Sequence, residues 1–220
     1  ERQEDHLMRT RVTKWDSVFV LGNPPNYEPA PDTSIAARAA REGRTPEEVS
    51  YDLLLENDGR AILYRPLSNY AYGDLDTVAD MMQHPNSLVG LGDGGAHVGV
   101  LTDASAITYM LTHWTRDRER GTKLSLPWAI KRLTRDNAEA IGLKDRGFLA
   151  VGKKADINVI DYENLQICPP EVLYDLPAGG KRMVQKTEGY DATIVAGQIV
   201  YRHGEATDAL PGRLVRGAKD

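Results

Sequence analysis

The sequence predicts an α/β fold followed by a smaller β-rich part. In the first two thirds of the 220 residues, short apolar runs alternate with amphipathic stretches that carry helix-capping signals. Such an alternation of strands and helices predicts a parallel sheet with crossover helices. From about residue 147 the helical period disappears, and β-branched residues alternate with polar ones between glycine turns.

Three apolar runs are interpreted as strands of the parallel sheet. Each is short and bounded by Gly, Pro, Asn or Asp; they are DSVFVLG (16–22), RAILYRP (60–66) and NSLVGLG (86–92). Ligands of open parallel sheets bind at the carboxyl ends of the strands. We therefore expect the active edge of the molecule to follow the last residues of these runs.

Helices are predicted between and after these strands. SIAARAAREG (34–43) ends at Gly43, and the next helix begins with Thr45 as N-cap, Pro46 at the first helical position and Glu48 closing a capping box. Further helices are predicted over 74–85, 102–120 and 125–143, the last with Ser125 as cap and Gly142 as stop.

The residues after 147 are predicted to form part of a small β domain. ADINVID (155–161) alternates as a strand, and DATIVAGQIVYRHG (191–204) is typical of a hairpin that turns at Ala196 and Gly197. The predicted domains are therefore 1–146 and 147–220.

Composition excludes several classes of protein. With 41% apolar and 27% charged residues, the chain has the composition of a soluble globular protein. A net charge of -5 with interrupted basic clusters argues against a nucleic-acid partner. No run approaches the roughly 18 apolar residues of a membrane span and the first residues lack a signal-peptide core, so we expect a cytoplasmic protein that does not bind membranes. Cys168 is the only cysteine, which excludes an internal disulfide and predicts an inert loop thiol.

The stretch VGLGDGGAHVG (89–99) surrounds one carboxylate, Asp93, with five glycines. It satisfies the G-x-G-x-x-G pattern of dinucleotide-binding proteins, but the next predicted helix begins only near residue 102 and no second strand follows it. A tight turn with Asp93 as a turn-forming residue and a solvated His97 is a second interpretation.

A third interpretation is catalytic. Asp93 directly follows a predicted strand, at the edge where barrel enzymes gather their catalytic side chains. Gly94 and Gly95 lack a Cβ and so let substrate approach the backbone, and His97 is expected at the mouth of the pocket. A carboxylate at this place can take a proton from a metal-bound water and deliver it to a leaving amine. Asp93 is therefore the candidate catalytic residue and metal contact, and Gly94, Gly95 and His97 are the candidate substrate contacts.

Several stretches resemble the C-terminal part of the amidohydrolase superfamily and, within it, the D-aminoacylase or N-acyl-D-amino-acid deacylase group. They are NSLVGLGDGGAH (86–97), DRGFLAVGKKADINVID (145–161) and YDATIVAGQIVYRHGEATDALPGRLVRG (190–217). The resemblance implies a zinc-dependent hydrolase on a TIM-like (α/β)8 barrel, followed by a β-sandwich built from both ends of the chain. It also implies that an N-terminal His-x-His pair, a bridging ligand and two later histidines hold the metal. Asp93 matches the proton-shuttling Asp of the last strand.

The chain does not contain this whole arrangement. No His-x-His pair occurs among His6, His84, His97, His113 and His203, and we expect His84, His113 and His203 to be structural or solvated. Three strand-helix units cannot close an eight-stranded barrel of about 250 residues. We therefore expect most Zn²⁺ ligands in a missing N-terminal portion, and an isolated chain that is inactive and forms homo-oligomers or associates with that portion.

The resemblance implies hydrolysis of the amide C–N bond of an N-acyl (D-)amino acid or a related small amide, with a zinc-bound hydroxide as nucleophile. In the best-known deacylases of this group an Arg shortly after the Asp binds the substrate carboxylate, whereas no Lys or Arg lies between Asp93 and Arg116. Two alternatives stay open: a cyclic amide, such as a hydantoin or dihydropyrimidine, as the substrate, and an inactive structural or interaction fragment.

Overall fold

The computed structural model describes residues 14–90, Gly99 and residues 103–216. These residues divide after Met81 into two compact units that both contain helices and strands. The domain boundary that the sequence predicts near Gly147 lies inside the second unit and stays a prediction.

The first unit consists of two short strands and the helices between and after them. Strand β1 (Phe19–Val20) is followed by helices α1 (Ile35–Glu42) and α2 (Pro46–Gly59), strand β2 (Leu63–Tyr64) and helix α3 (Asp76–Gln83), which ends just beyond the division. Its core is a cluster of buried apolar side chains from α1, α2 and the residue just before β1: Val18, Ile35, Ala39, Val49 and Leu53.

Both predicted helix boundaries near residue 44 are confirmed. Helix α1 ends where Gly43 adopts a left-handed conformation. The Thr45 hydroxyl accepts from the Glu48 backbone N–H, and the Glu48 carboxylate accepts from the Thr45 N–H at 2.9 Å, which completes the predicted capping box. The side chains needed for these caps lie within four residues of each other, so their pattern is readable from sequence.

The parallel pairing expected for the first two strands is wrong. Strands β1 and β2 pair antiparallel, with Phe19 opposite Tyr64 and Val20 opposite Leu63. A single crossover helix returns the chain to give a parallel neighbour, but here two helices, α1 and α2, separate the strands. The additional helix reverses the chain once more, so β2 runs against β1.

The helical part of the second unit contains three helices within residues 103–216. Helix α4 (Ala106–Thr112) follows a 3₁₀ turn over Asp103–Ser105 and continues into a π-helical turn over His113–Asp117. The predicted helix over 125–143 is divided into α5 (Leu126–Leu133) and α6 (Arg135–Ala140), because Thr134 leaves helical geometry at φ -121° and ψ -77°. Gly142, at φ 77°, ends the helical region as predicted.

The third predicted strand is not formed in its described part. Asn86 belongs to a turn, residues 87–90 have no strand pairing, and Leu91 and Gly92 lie outside the described residues. The apolar run NSLVG is compatible with a strand, but a strand also needs a neighbouring ladder to accept its hydrogen bonds. Side chains of later helices donate to this backbone instead.

The rest of the second unit is antiparallel β structure, as the change of pattern near residue 147 predicts. Strands β3 (Ile157–Ile160), β8 (Tyr190–Val195), β9 (Gln198–Arg202) and β10 (Glu205–Ala206) form one sheet in the order β10-β9-β8-β3. Two further pairs are formed by β4 (Gln166–Ile167) with β7 (Thr187–Glu188), and by β5 (Glu171–Leu176) with β6 (Gly180–Val184).

The predicted hairpin turn at Ala196 and Gly197 is confirmed. Val195 pairs with Gln198, which leaves a two-residue turn whose φ angles are both positive, 50° at Ala196 and 80° at Gly197. Positive φ at both central residues is the signature of the type I′ turn, whose twist matches that of the flanking strands. In the described part of the chain, no helix has the length and apolar character needed to cross a membrane.

Candidate functional site

The four residues that the sequence predicts for the site, Asp93, Gly94, Gly95 and His97, lie outside the described residues. Their roles therefore stay predictions. The structure does describe the chain up to Gly90 and again from Asp103. It therefore shows which side chains contact the backbone on either side of residues 91–102.

Arg132 of helix α5 binds the backbone of residues 82–87, which precede the stretch that contains Asp93. Its Nη2 lies 2.8 Å from the carbonyl oxygen of Met82, 3.0 Å from that of His84 and 2.7 Å from that of Ser87. Three backbone carbonyls thus share the two hydrogens of one guanidinium nitrogen. Hydrogen bonds from a charged donor are stronger than neutral ones, so this contact restrains a segment that lacks a strand ladder.

Other side chains of α5 and α6 fix the Arg132 guanidinium itself. It lies over the ring of Trp128, 5.6 Å from the ring centroid, and its Nη1 is 3.3 Å from a carboxylate oxygen of Asp136. Lys131 also donates to Asp136, and this hydrogen bond, together with Arg132, lowers the pKa of that carboxyl. Only 11% of the Arg132 side chain and 12% of the Asp136 side chain are exposed, so the pair is well shielded from water.

Asn137 of helix α6 makes the last described contact before Asp93. Its Nδ2 donates to the carbonyl oxygen of Val89 at 2.6 Å. The next residue, Gly90, passes so close that a Cβ there would lie 2.5 Å from the same nitrogen, well inside the contact distance. The absence of a side chain at residue 90 and the amide of Asn137 therefore fit one another.

Hydroxyl groups hold the chain on the other side of the stretch. Ser105 donates to Gln185, and the hydroxyls of Thr108 and Tyr190 lie 2.9 Å apart. These contacts tie the beginning of α4 to the β part of the second unit. An open groove of about 390 Å³ lies along them, and those of its lining residues that the structure describes carry hydroxyl, amide or apolar side chains and no ionic ones.

Arg116, the first Lys or Arg after Asp93, has a structural role. Its guanidinium donates to both carboxylate oxygens of Asp117 and to the backbone carbonyls of Tyr162, Glu163 and Leu165. These five hydrogen bonds match the five N–H groups of an arginine. Arg116 therefore has no donor left for a substrate carboxylate.

The described histidines have the structural or solvated positions expected of them. His84 accepts from the backbone N–H of Asn86 at Nδ1 over 3.2 Å, and His113 is stacked on Tyr109 with 4.4 Å between ring centroids. The side chain of His203 is 70% exposed in the turn after β9. His6 and His97 lie outside the described residues.

Cys168 is half-buried next to Glu188. Burial and this neighbouring carboxylate raise the pKa of its thiol. Because the thiolate is the reactive form, the structure agrees with the expectation of an inert thiol.

Arg132 and Asn137 were not identified by sequence reasoning, which assigned them only to the helix over 125–143. One signal was available, because Asn is unfavourable inside a helix unless its side chain bonds elsewhere. That signal does not tell which backbone group the side chain reaches.

Comparison with known proteins identifies a family whose sequence profile matches most of the chain. The sequence profile of a family described as "Amidohydrolase family" matches residues 32–201. The chain is also similar to a 5-methylthioadenosine/S-adenosylhomocysteine deaminase of Pelotomaculum thermopropionicum (strain DSM 13744 / JCM 10971 / SI), with 33% identity over 116 residues. The similar region covers 48% of this chain and 26%, about a quarter, of that relative. No solved structure matches the chain significantly.

Proposed function

Because the chain belongs to the amidohydrolase family, we propose that its complete gene product hydrolyses a C–N bond of a small molecule, with Asp93 moving the proton. The observation that carries this proposal is the family match over residues 32–201, which includes Asp93 and both segments that hold the ends of its stretch. A carboxylate in this role accepts a proton as water attacks and returns it to the nitrogen that leaves.

The first candidate substrate is an N-acyl amino acid, in particular one of D configuration. Its support is the sequence resemblance to the D-aminoacylase group over the stretches around Asp93 and after residue 145. This substrate carries a carboxylate that the enzyme must bind. The residues between Asp93 and Arg116 provide no Lys or Arg, and Arg116 is fully used within the fold.

A second candidate is hydrolytic deamination of an amino-substituted ring. Two observations favour it: the similar protein of P. thermopropionicum is named a deaminase, and no Lys or Arg lies between Asp93 and Arg116 to bind a substrate carboxylate. A neutral ring substrate needs no such cation. Deamination and amide hydrolysis both break a C–N bond by addition of water, so the same role of Asp93 serves both.

Members of the amidohydrolase family are generally metal-dependent. Across residues 14–90 and 103–216, no three His, Cys, Asp or Glu side chains lie together as ligands of a metal ion. The described residues therefore do not fit a metal centre, and we assign no step to a metal. We propose that the complete gene product holds zinc through Asp93 and ligands outside the described residues. Elemental analysis of the active protein tests this, and an active protein free of metal would overturn it.

We also propose that residues 1–146 contribute to an (α/β)8 barrel and residues 147–220 to a β-sandwich in the complete protein. The support is the sequence resemblance together with the antiparallel β structure from β3 to β10. In this proposal an isolated chain exposes surfaces that the barrel would cover, and light scattering is expected to find oligomers rather than monomers.

The test of the main proposal uses the complete gene product and the Asp93→Asn variant. A panel of N-acyl-D-amino acids, aminopurine nucleosides and cyclic amides first identifies the bond that is cleaved. Asp93→Asn is then expected to lower kcat at least about 10²- to 10⁴-fold without unfolding the protein, because the amide cannot take up the proton. The matched control is Asp208→Asn, an exposed aspartate, which is expected to leave kcat unchanged. Normal turnover by Asp93→Asn would remove Asp93 from the reaction, and a complete protein inactive on the whole panel would favour a structural role.

A further inference from the structure

We infer that Arg132 and Asn137 are positioning residues that set the register of the backbone leading to Asp93. We call this pair, with the carbonyls of Met82, His84, Ser87 and Val89 to which it donates, the carbonyl latch. The latch itself rests on described contacts. Its effect on catalysis rests on the proposed function, because Asp93 is the group whose position it would control.

The segment over residues 82–90 depends on the side chains of Arg132 and Asn137, because few other hydrogen bonds to its last residues are described. Residues 87–90 have no strand partner among the described residues, and the other backbone bonds described for this segment lie in the turn after α3. Within that turn, Ser87 donates its N–H to the His84 carbonyl at 3.1 Å. A strand of a sheet would hold the same backbone through a hydrogen bond at every second residue. Here the restraint is concentrated in one guanidinium and one amide.

The latch contacts the chain close to the candidate catalytic residue. The Asn137 bond is made to Val89, four residues before Asp93 along the chain. A shift of the segment by one residue would bring a side chain to the place of Gly90, where a Cβ lies 2.5 Å from the Asn137 nitrogen. A change of register would therefore require the Asn137 amide to move away and to give up its bond to Val89.

Substitution of Asn137 is expected to affect the segment more than the helix that carries it. Alanine is a better helix former than asparagine, so Asn137→Ala removes the bond to Val89 while helix α6 keeps its backbone bonds. Asn137→Asp keeps the size of the side chain but turns the donor into an acceptor that faces a carbonyl oxygen. Glu139→Ala is the matched control, since this residue lies on the same helix with 57% of its side chain exposed.

The first experiment measures amide hydrogen exchange in peptides that cover residues 82–90 of the complete gene product. Asn137→Ala and Asn137→Asp are expected to speed exchange in this segment about fivefold, the effect of losing one net hydrogen bond. Glu139→Ala is expected to leave it unchanged. Unchanged exchange in both Asn137 variants would overturn the latch, whatever the protein catalyses.

A second experiment tests the contact between Asn137 and Gly90 by a double-mutant cycle. Gly90→Ala alone places a methyl group against the Asn137 amide, whereas in the Asn137→Ala background that amide is absent. Gly90→Ala is therefore expected to increase the exchange rate in both backgrounds, but the increase in the Asn137→Ala background should be at least about threefold smaller than in the wild type. Any strain of the substituted backbone itself occurs in both backgrounds and cancels. Strictly additive effects would contradict the contact.

The kinetic experiment separates the latch from the proposed function. Asn137→Ala is expected to lower kcat about tenfold or more while KM changes little, because a displaced carboxylate still permits binding. If Asp93→Asn lowers kcat but Asn137→Ala changes neither kcat nor exchange, the latch is wrong and the proposed function stands. If exchange rises in Asn137→Ala while Asp93→Asn turns over normally, the latch stands and the role of Asp93 is wrong.

Discussion

The β8–β9 hairpin and the segment over residues 82–90 are held in place by opposite means. In the hairpin, backbone groups pair along the ladder from Ala192 with Arg202 to Val195 with Gln198. In the segment, side chains of Arg132 and Asn137, 45 to 50 residues later in the chain, donate to the backbone. A ladder distributes the restraint over many bonds, so loss of one side chain costs little. The carbonyl latch places the restraint on two side chains, so one substitution removes much of that restraint.

The largest effect predicted by this contrast is that of Arg132→Met. The change leaves three carbonyls without their donor and the shielded Asp136 without one of its cations, and it is expected to lower the free energy of unfolding by about 3 kcal/mol. Arg182→Met is the control, because the Arg182–Asp175 pair of the β5–β6 hairpin is solvent-exposed and its loss is expected to cost far less. Urea denaturation of both variants measures the difference, and equal losses would contradict the contrast.

An intermediate effect is predicted at the hairpin turn, where the backbone conformation matters. Gly197 has a φ of 80°, which a β-branched residue adopts only under strain, so Gly197→Val is expected to destabilise the protein by about 1–3 kcal/mol. Gln198→Ala, at an exposed position of the ladder, is expected to change stability by less than about 0.5 kcal/mol. A larger loss in Gln198→Ala than in Gly197→Val would show that side chains, rather than the backbone, hold this hairpin.

The smallest effect predicted is a dependence of the latch on pH. The pKa of Asp136 is lowered in the folded protein, mainly by its hydrogen bond from Lys131, relative to the usual value near 4 in an unfolded chain. The stabilisation is therefore complete above about pH 5 and is lost as the pH falls through the lowered pKa. Melting temperatures of the wild type and Asp136→Asn are expected to differ most near pH 6 and to converge towards pH 2. If the difference in melting temperature did not change with pH, the charge of Asp136 would not contribute to the stability of the carbonyl latch.

The elements predicted correctly from the sequence are those whose signals are local. The capping box of Thr45 and Glu48 and the turn at Ala196 and Gly197 each involve residues within four positions. The capping box depends on the side chains of Thr45 and Glu48, and the turn depends on the freedom of Gly197 to adopt a positive φ. The antiparallel β structure after residue 147 follows from a pattern of the same range.

Two of the errors concern contacts between distant residues. Strand direction at β1 and β2 depended on the two intervening helices, and residues 86–90 lacked the neighbour that a strand needs. The predicted helix over 102–120 becomes a π-helical turn at His113, where Arg118 bonds back to the His113 carbonyl at 2.8 Å. Arg118 is itself buried and lies over the ring of Trp114, so this error concerns contacts within five residues that the helical pattern does not reveal.

By itself, the sequence determined the positions of the helix caps and hairpin turn, the change to β structure near residue 147 and the likeness to amidohydrolases around Asp93. Only the tertiary structure decided which way β2 runs beside β1 and which side chains hold the backbone before Asp93. The reason is the range of the forces involved. Caps and turns are set by hydrogen bonds and φ preferences among neighbours in the chain, whereas strand pairing and the carbonyl latch form only when packing brings residues about 45 positions apart into contact.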